Sequence, residues 1–220
     1  MRIDARSRVL FIGDSITDCG RARPVGEAAH DRLGTGYVNQ VNALLFSTYP
    51  ERPMRVLNTG TSGDTVVKLT ARWQTDVLDL KPDWLSIMIG TNDVWRQFDR
   101  PLHVEDAVQP DVFERTYDDL LTRTRPLLKG LVLMTPFFIE PLAGDPMRAR
   151  MDAYGAIVRR LATRHGAAFV DVQAAFDRHL RHNHSSTLAW DRIHPTPAGH
   201  MIIARAFLDA VGFDWAHQPA

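Results

Sequence analysis

Short apolar runs that stop at a glycine or a polar cluster, alternating with stretches of helical periodicity, constrain this chain more than any other feature. Residues 9–12 (Val-Leu-Phe-Ile), 55–58 (Arg-Val-Leu-Asn), 84–89 (Trp-Leu-Ser-Ile-Met-Ile), 131–134 (Leu-Val-Leu-Met) and 168–172 (Ala-Phe-Val-Asp-Val) have the length and β-rich character of strands. A run that stays apolar without alternating is expected where both faces of a strand are covered. Helical spacing fits residues 35–49, 64–80 with Asp64 as N-cap, 111–125, 147–165 and 198–211, with Pro50, Pro53, Gly166 and Gly212 as stop signals. Residues 137–146 read as a loop. Five strands alternating with helices predict a five-stranded parallel sheet between two helical layers, an α/β/α sandwich of flavodoxin-like kind. A chain of 220 residues suits one domain, 1–220, with no internal repeat or linker.

Composition narrows the function classes. With 26 basic and 26 acidic side chains the formal net charge is zero, so there is no general attraction to nucleic acid or anionic lipid. The charged N-terminal stretch leads into only four apolar residues before Gly13, too few for a signal-peptide core, and no stretch reads as a membrane helix. A single cysteine, Cys19, cannot form an internal disulfide. These readings lead to the expectation of a cytoplasmic protein with neither membrane nor nucleic-acid partner. A homo-oligomer is left open.

Four fragments could carry chemistry: Gly13-Asp14-Ser15, Thr61-Ser62-Gly63-Asp64-Thr65, Gly90-Thr91-Asn92-Asp93 and Asp191-Arg192-Ile193-His194. The first and third follow predicted strands, and ligands in open α/β sheets bind beyond the carboxyl ends of strands. Asp191 and His194 are three residues apart, a spacing that brings both side chains to one side of a helical turn. Asp191 could then fix the imidazole tautomer so that His194 accepts the proton of Ser15, a poor nucleophile without an adjacent base. Backbone N–H groups of Ser15 and Gly63 and the amide of Asn92 are suitable donors to a developing oxyanion. Taken singly, each fragment has a commoner explanation. Ser15 could be a capping hydroxyl, Gly63 a turn residue, Asn92 a cap and Asp191 with His194 a surface pair.

Taken together and in order, the fragments resemble the SGNH (GDSL) hydrolase family over about residues 9–212. The resemblance implies a catalytic triad of Ser15, Asp191 and His194 and an oxyanion hole of Ser15, Gly63 and Asn92, with Gly60 the alternative to Gly63. The wider wording is similar to intracellular acetyl-xylan and xylo-oligosaccharide esterases: Gly-Asp-Ser-Ile-Thr-Asp-Cys-Gly-Arg-Ala-Arg-Pro, Gly-Thr-Asn-Asp-Val-Trp-Arg-Gln and Ala-Trp-Asp-Arg-Ile-His-Pro. That implies a serine esterase without cofactor or metal, acting on a small acetylated carbohydrate and on neither lipid nor polymeric xylan. Trp95 and Trp190 flank the motifs and could stack on a sugar or wall an acetyl pocket, with packing an equal reading. Arg21 and Arg23 read as solvated loop charges, and Trp215 as a packing or subunit contact.

Two other function classes compete. His179, His182, His184, Asp191 and His194 lie in one short stretch and include zinc-ligand types, but a metal site leaves Gly-Asp-Ser and Gly-Thr-Asn-Asp without roles. A non-catalytic carbohydrate-binding module would have no use for Ser15, Asn92, Asp191 and His194 together. Within the family, a lysophospholipase or thioesterase is the alternative substrate reading. Cys19 as nucleophile has no support in the residues around it.

Overall fold

A computed structural model describes residues 1–27, 30–100, 102, 103, 105 and 107–219. Its strands are β1 (Arg8–Gly13), β2 (Gly26–Glu27), β3 (Arg55–Asn58), β4 (Trp84–Met88), β5 (Gly130–Met134) and β6 (Ala168–Val170). They form one sheet in the order β2-β3-β1-β4-β5-β6. The five expected strands are all present and mutually parallel, with β1 in register against β3 through Val9↔Val56 and against β4 through Val9↔Trp84. The sixth, β2, is a two-residue antiparallel edge strand on β3, too short to leave a periodic signal.

Among the described residues the α-helices are α1 (Ser15–Asp18), α2 (Tyr37–Thr48), α3 (Val66–Trp73), α4 (Thr91–Asp99), α5 (Pro110–Thr124), α6 (Pro146–Arg164), α7 (Val172–Leu180) and α8 (Pro197–Ala210). Successive side chains of a strand point to opposite faces. Val9 and Phe11 of β1 accordingly pack with Tyr37 and Val41 of α2, Phe176 of α7 and Phe207 of α8. Leu10 and Ile12 join Leu69 and Trp73 of α3, Phe113 and Tyr117 of α5, and Tyr154 and Val158 of α6 on the other face. The result is the three-layer sandwich, and it explains why the strands read as unbroken apolar runs.

Several boundaries differ from the expectation. Helix α3 is capped by Thr65, whose side chain accepts from the Lys68 N–H at 3.3 Å, and Asp64 is released for another task. The chain then widens into a π turn over Gln74–Leu78 before stopping. Helices α4 and α7 follow their strands at once, so their starts merge with the strand ends in the sequence.

β1 lies between β3 and β4, so the chain leaves it to one side and later returns on the other. That is a topological switch point, where an open sheet forms a crevice beyond its strand ends. Gly13, at the carboxyl end of β1, has no room for a side chain: a Cβ there would run into the Met88 carbonyl oxygen and the Thr17 side chain. Gly13→Ala should therefore destabilise the fold by about 1–3 kcal/mol, the usual cost of overpacking. A urea midpoint equal to that of the parent protein would show that the strand end gives way freely.

Candidate active site

Asp14 caps α1, its carboxylate accepting the Ile16 N–H at 3.0 Å. Ser15 is thus the first helical residue, and its N–H is without an acceptor among the described residues. Ser15 Oγ lies 2.9 Å from His194 Nε2, and His194 Nδ1 lies 2.6 Å from Asp191 Oδ2. An ionised carboxylate can only accept, so Nδ1 carries the proton toward Asp191, and Nε2 of the neutral ring accepts from the serine hydroxyl.

Asp191 and His194 belong to a non-helical turn in place of the expected helical one. Asp191 Oδ1 accepts the N–H groups of Ile193 at 2.9 Å and His194 at 2.7 Å, while Arg192 between them adopts a left-handed φ of 64°. Partial burial raises the Asp191 pKa. Hydrogen bonds from the His194 N–H, its ring and the Ile193 N–H outweigh that and hold the carboxyl below its usual range. The turn is fastened to the segment after β5 by the Ile139 N–H on the Arg192 carbonyl, by the Arg192–Glu140 ion pair and by burial of Ile193.

The loop after β3 approaches Ser15 from the other side. Asn58 is fully buried, donates to the carbonyls of Thr17 and Leu33, and accepts the Gly60 N–H at 2.8 Å. Gly60 therefore has no free N–H. Gly63, at a left-handed φ of 81°, has an N–H that meets no acceptor among the described residues. Asp18 ties this loop to α1, accepting the Ser62 N–H and hydroxyl, each at 3.0 Å.

Arg21 is not the solvated loop charge expected, whereas Arg23 is exposed as expected. Arg21 is buried and donates to the Gly60 and Pro24 carbonyls, each at 2.6 Å, and Arg23 pairs with Asp18 at 2.6 Å. Between them the two cations meet four carbonyls and a carboxylate. Arg72 of α3 plays a similar part, joining Asp64, Asp76 and the carbonyls of Thr59 and Gly13. No periodicity or motif singles out Arg72. Asp18 and Asp93 had a signal: each is a carboxylate inside a quoted motif close behind an apolar run.

Asn92, one residue into α4, is buried and donates to the Asp64 carbonyl at 3.0 Å. Gly90 before it has a φ of 126°, a conformation that excludes most other residues. Trp95 packs edge-on against the His194 ring with centroids 5.8 Å apart. Trp190 stands 88% exposed, without a ring contact or hydrogen bond among the described residues. Trp215 is half-exposed, bonded to Asp209 at 2.7 Å and covered by Arg205. Burial, then the charges of Asp18 and Asp14, push the Cys19 thiol up to about 12, which makes it a poor nucleophile. Among the described residues no three His, Cys, Asp or Glu side chains converge on a metal-sized site, and this includes His179, His182 and His184.

Two buried carboxyls sit beneath these groups. Burial raises Asp14 and Asp93 to about 7, against the hydrogen bonds they accept from Ile16 and Val66. The folded state therefore keeps a proton on Asp93 that an unfolded carboxyl loses above its ordinary value of 3.8. The sign follows: this group's contribution to stability is full at low pH, declines as pH rises, and is gone above about 7. Asp93→Asn keeps an acceptor for the Val66 N–H and removes the titration. Its urea midpoint should fall less than that of the parent between about pH 5 and pH 7.5. Parallel profiles for the two proteins would mean that Asp93 is ionised throughout.

The chain is similar to known proteins along nearly its whole length. The chain is 55% identical over 218 residues to an acetylxylan esterase of Geobacillus stearothermophilus, covering 99% of this chain and all of the relative. Its structure superposes on a catalytic mutant, S15A, of Axe2, an acetylxylan esterase of the same organism, with a TM-score of 0.98 at 54% identity over 99% of this chain and 100% of that one. The W190I mutant of Axe2, an acetyl-xylooligosaccharide esterase, matches with the same TM-score of 0.98, identity of 54% and coverage of 99% and 100%. With residues 11–202 matching the family as well, the chain belongs to the GDSL-like lipase/acylhydrolase family.

Proposed function

We propose that this protein is a serine esterase that removes O-acetyl groups from short xylo-oligosaccharides, with Ser15, His194 and Asp191 as its triad. The observation that carries the mechanism is the continuous relay from Ser15 Oγ to His194 Nε2 at 2.9 Å and from Nδ1 to Asp191 at 2.6 Å. Ser15 Oγ attacks the acetyl carbonyl carbon as its proton passes to Nε2. The carbonyl oxygen takes the negative charge, received by the unengaged N–H groups of Ser15 and Gly63 and by the Asn92 amide. Collapse of the intermediate breaks the ester bond, and His194 returns the proton to the departing sugar oxygen. Water, deprotonated by the same imidazole, then releases acetate and frees Ser15. Asp191 stays ionised, consistent with its lowered pKa.

The sugar assignment draws on the relatives named for acetylated xylan and xylo-oligosaccharides and on the two indoles beside the triad. Trp190 presents a free aromatic face of the kind that stacks on a pyranose ring, and Trp95 walls the imidazole. Among the described residues no helix is long and apolar enough to cross a membrane. A soluble oligosaccharide met in the cytoplasm is compatible with a lone, unpaired cysteine.

A panel of esters tests the assignment directly. Acetylated xylo-oligosaccharides should give the highest kcat/KM, with a steep loss from acetyl to longer acyl groups. Faster turnover of an octanoyl or lysophospholipid ester would replace the carbohydrate reading with a lipid one and leave the serine mechanism standing. Within the triad, Ser15→Ala and His194→Ala should each abolish nearly all turnover, and the double variant should lose little more, because the two act as one unit. Losses that multiply would contradict that unit. Asn92→Ala should lower kcat by about 10²–10³ with KM little changed, as for deletion of one oxyanion donor. A normal kcat with a lowered melting temperature would make Asn92 structural.

A further inference from the structure

Asn92 can serve an oxyanion only if its amide faces the right way, and a side-chain amide turns about a soft terminal torsion. Two contacts decide its orientation. Asn92 Nδ2 donates to the Asp64 carbonyl at 3.0 Å, and Asn92 Oδ1 accepts from Arg96 Nη2 at 3.1 Å, one helical turn further along α4. A carbonyl can only accept and a guanidinium can only donate, so a single orientation satisfies both. In that orientation one N–H of Nδ2 is held by Asp64 and the other is left over. Oδ1 is occupied and turned toward the cation.

Arg96 is itself held on three sides. It forms an ion pair with Asp99, reaches Asn92, and lies with its guanidinium carbon 4.5 Å from the centroid of the Trp95 ring. Its side chain is only 20% exposed. A guanidinium fixed at Oδ1 also draws electron density from the amide and makes the remaining N–H a stronger donor. From this geometry we infer that Arg96 is a positioning residue for the oxyanion hole: it locks and polarises the Asn92 amide, and through it stabilises the transition state without touching the substrate.

This inference rests on the reading of Asn92 as an oxyanion donor, and the test separates the two. Arg96→Ala, Arg96→Lys, Asn92→Ala and the Asn92→Ala/Arg96→Ala pair are assayed on 4-nitrophenyl acetate, which makes the result independent of the sugar. Active serines are counted with a fluorophosphonate, so that kcat refers to folded enzyme. Arg96→Ala should lower kcat by about tenfold, part of the loss expected when the donor itself is deleted, and leave KM within about twofold. Arg96→Lys, which keeps the charge and a donor, should recover part of the loss. Where Asn92 is already Ala, removing Arg96 should cost less than about twofold, since there is no amide left to orient. Equal fold losses with and without the Asn92 amide overturn the inference, and so does a raised KM at unchanged kcat, which would make Arg96 a substrate contact. Undiminished kcat in Asn92→Ala removes the oxyanion assignment itself and the inference with it.

Discussion

Strand β1 is buried on both faces and flanked by parallel partners on both edges, and the rest of the molecule is arranged around that confinement. A strand so enclosed has its backbone groups paired by the ladder and its side chains committed to two cores. Its carboxyl end is the first point at which the chain meets a polar crevice. Ser15 emerges there, between the loop that follows β3 and the loop that follows β4, because β1 sits where the sheet order reverses. The nucleophile's position is thus a consequence of packing, and the same packing forces Gly13 to lack a side chain.

Loops gathered over such a strand end bring many backbone carbonyls and N–H groups away from water. The structure meets this with a few long-reaching side chains. Arg21 and Arg72 collect the carbonyls of Gly60, Pro24, Thr59 and Gly13, while Asn58 and Asp18 serve the donors of Gly60 and Ser62. Among the described residues the N–H groups of Ser15 and Gly63 meet no acceptor, and a preorganised pair of unengaged donors suits a charge that appears only during reaction.

Electrostatics divide the site into two kinds of carboxyl. Asp191 is partly exposed and receives three hydrogen bonds, which favours its charge. Asp14 and Asp93 lie in the interior, where burial dominates and pushes both up to about 7. The ionised carboxylate therefore stands behind the imidazole, while the buried ones brace the backbone at the start of α1 and α3.

Periodicity and local motif determined a good deal by themselves. The five parallel strands and the two helical layers were readable because strand burial is a local property of the chain, whereas Ser15, Asn92, Asp191 and His194 stood out only through the family that their motifs resemble when taken together. Helices α4 and α7 escaped notice because they begin where a strand ends, and β2 because two residues carry no pattern. The choice between Gly60 and Gly63 lay outside the sequence, since it depends on Asn58 having already taken one N–H. So did the parts played by Arg21, Arg72 and Arg96. A long flexible cation reads the same in solvent as in a buried network, and only the tertiary structure decides which carbonyls and carboxylates it meets. Distance along the chain says nothing of that: Ser15 and His194 are 179 residues apart and share a hydrogen bond.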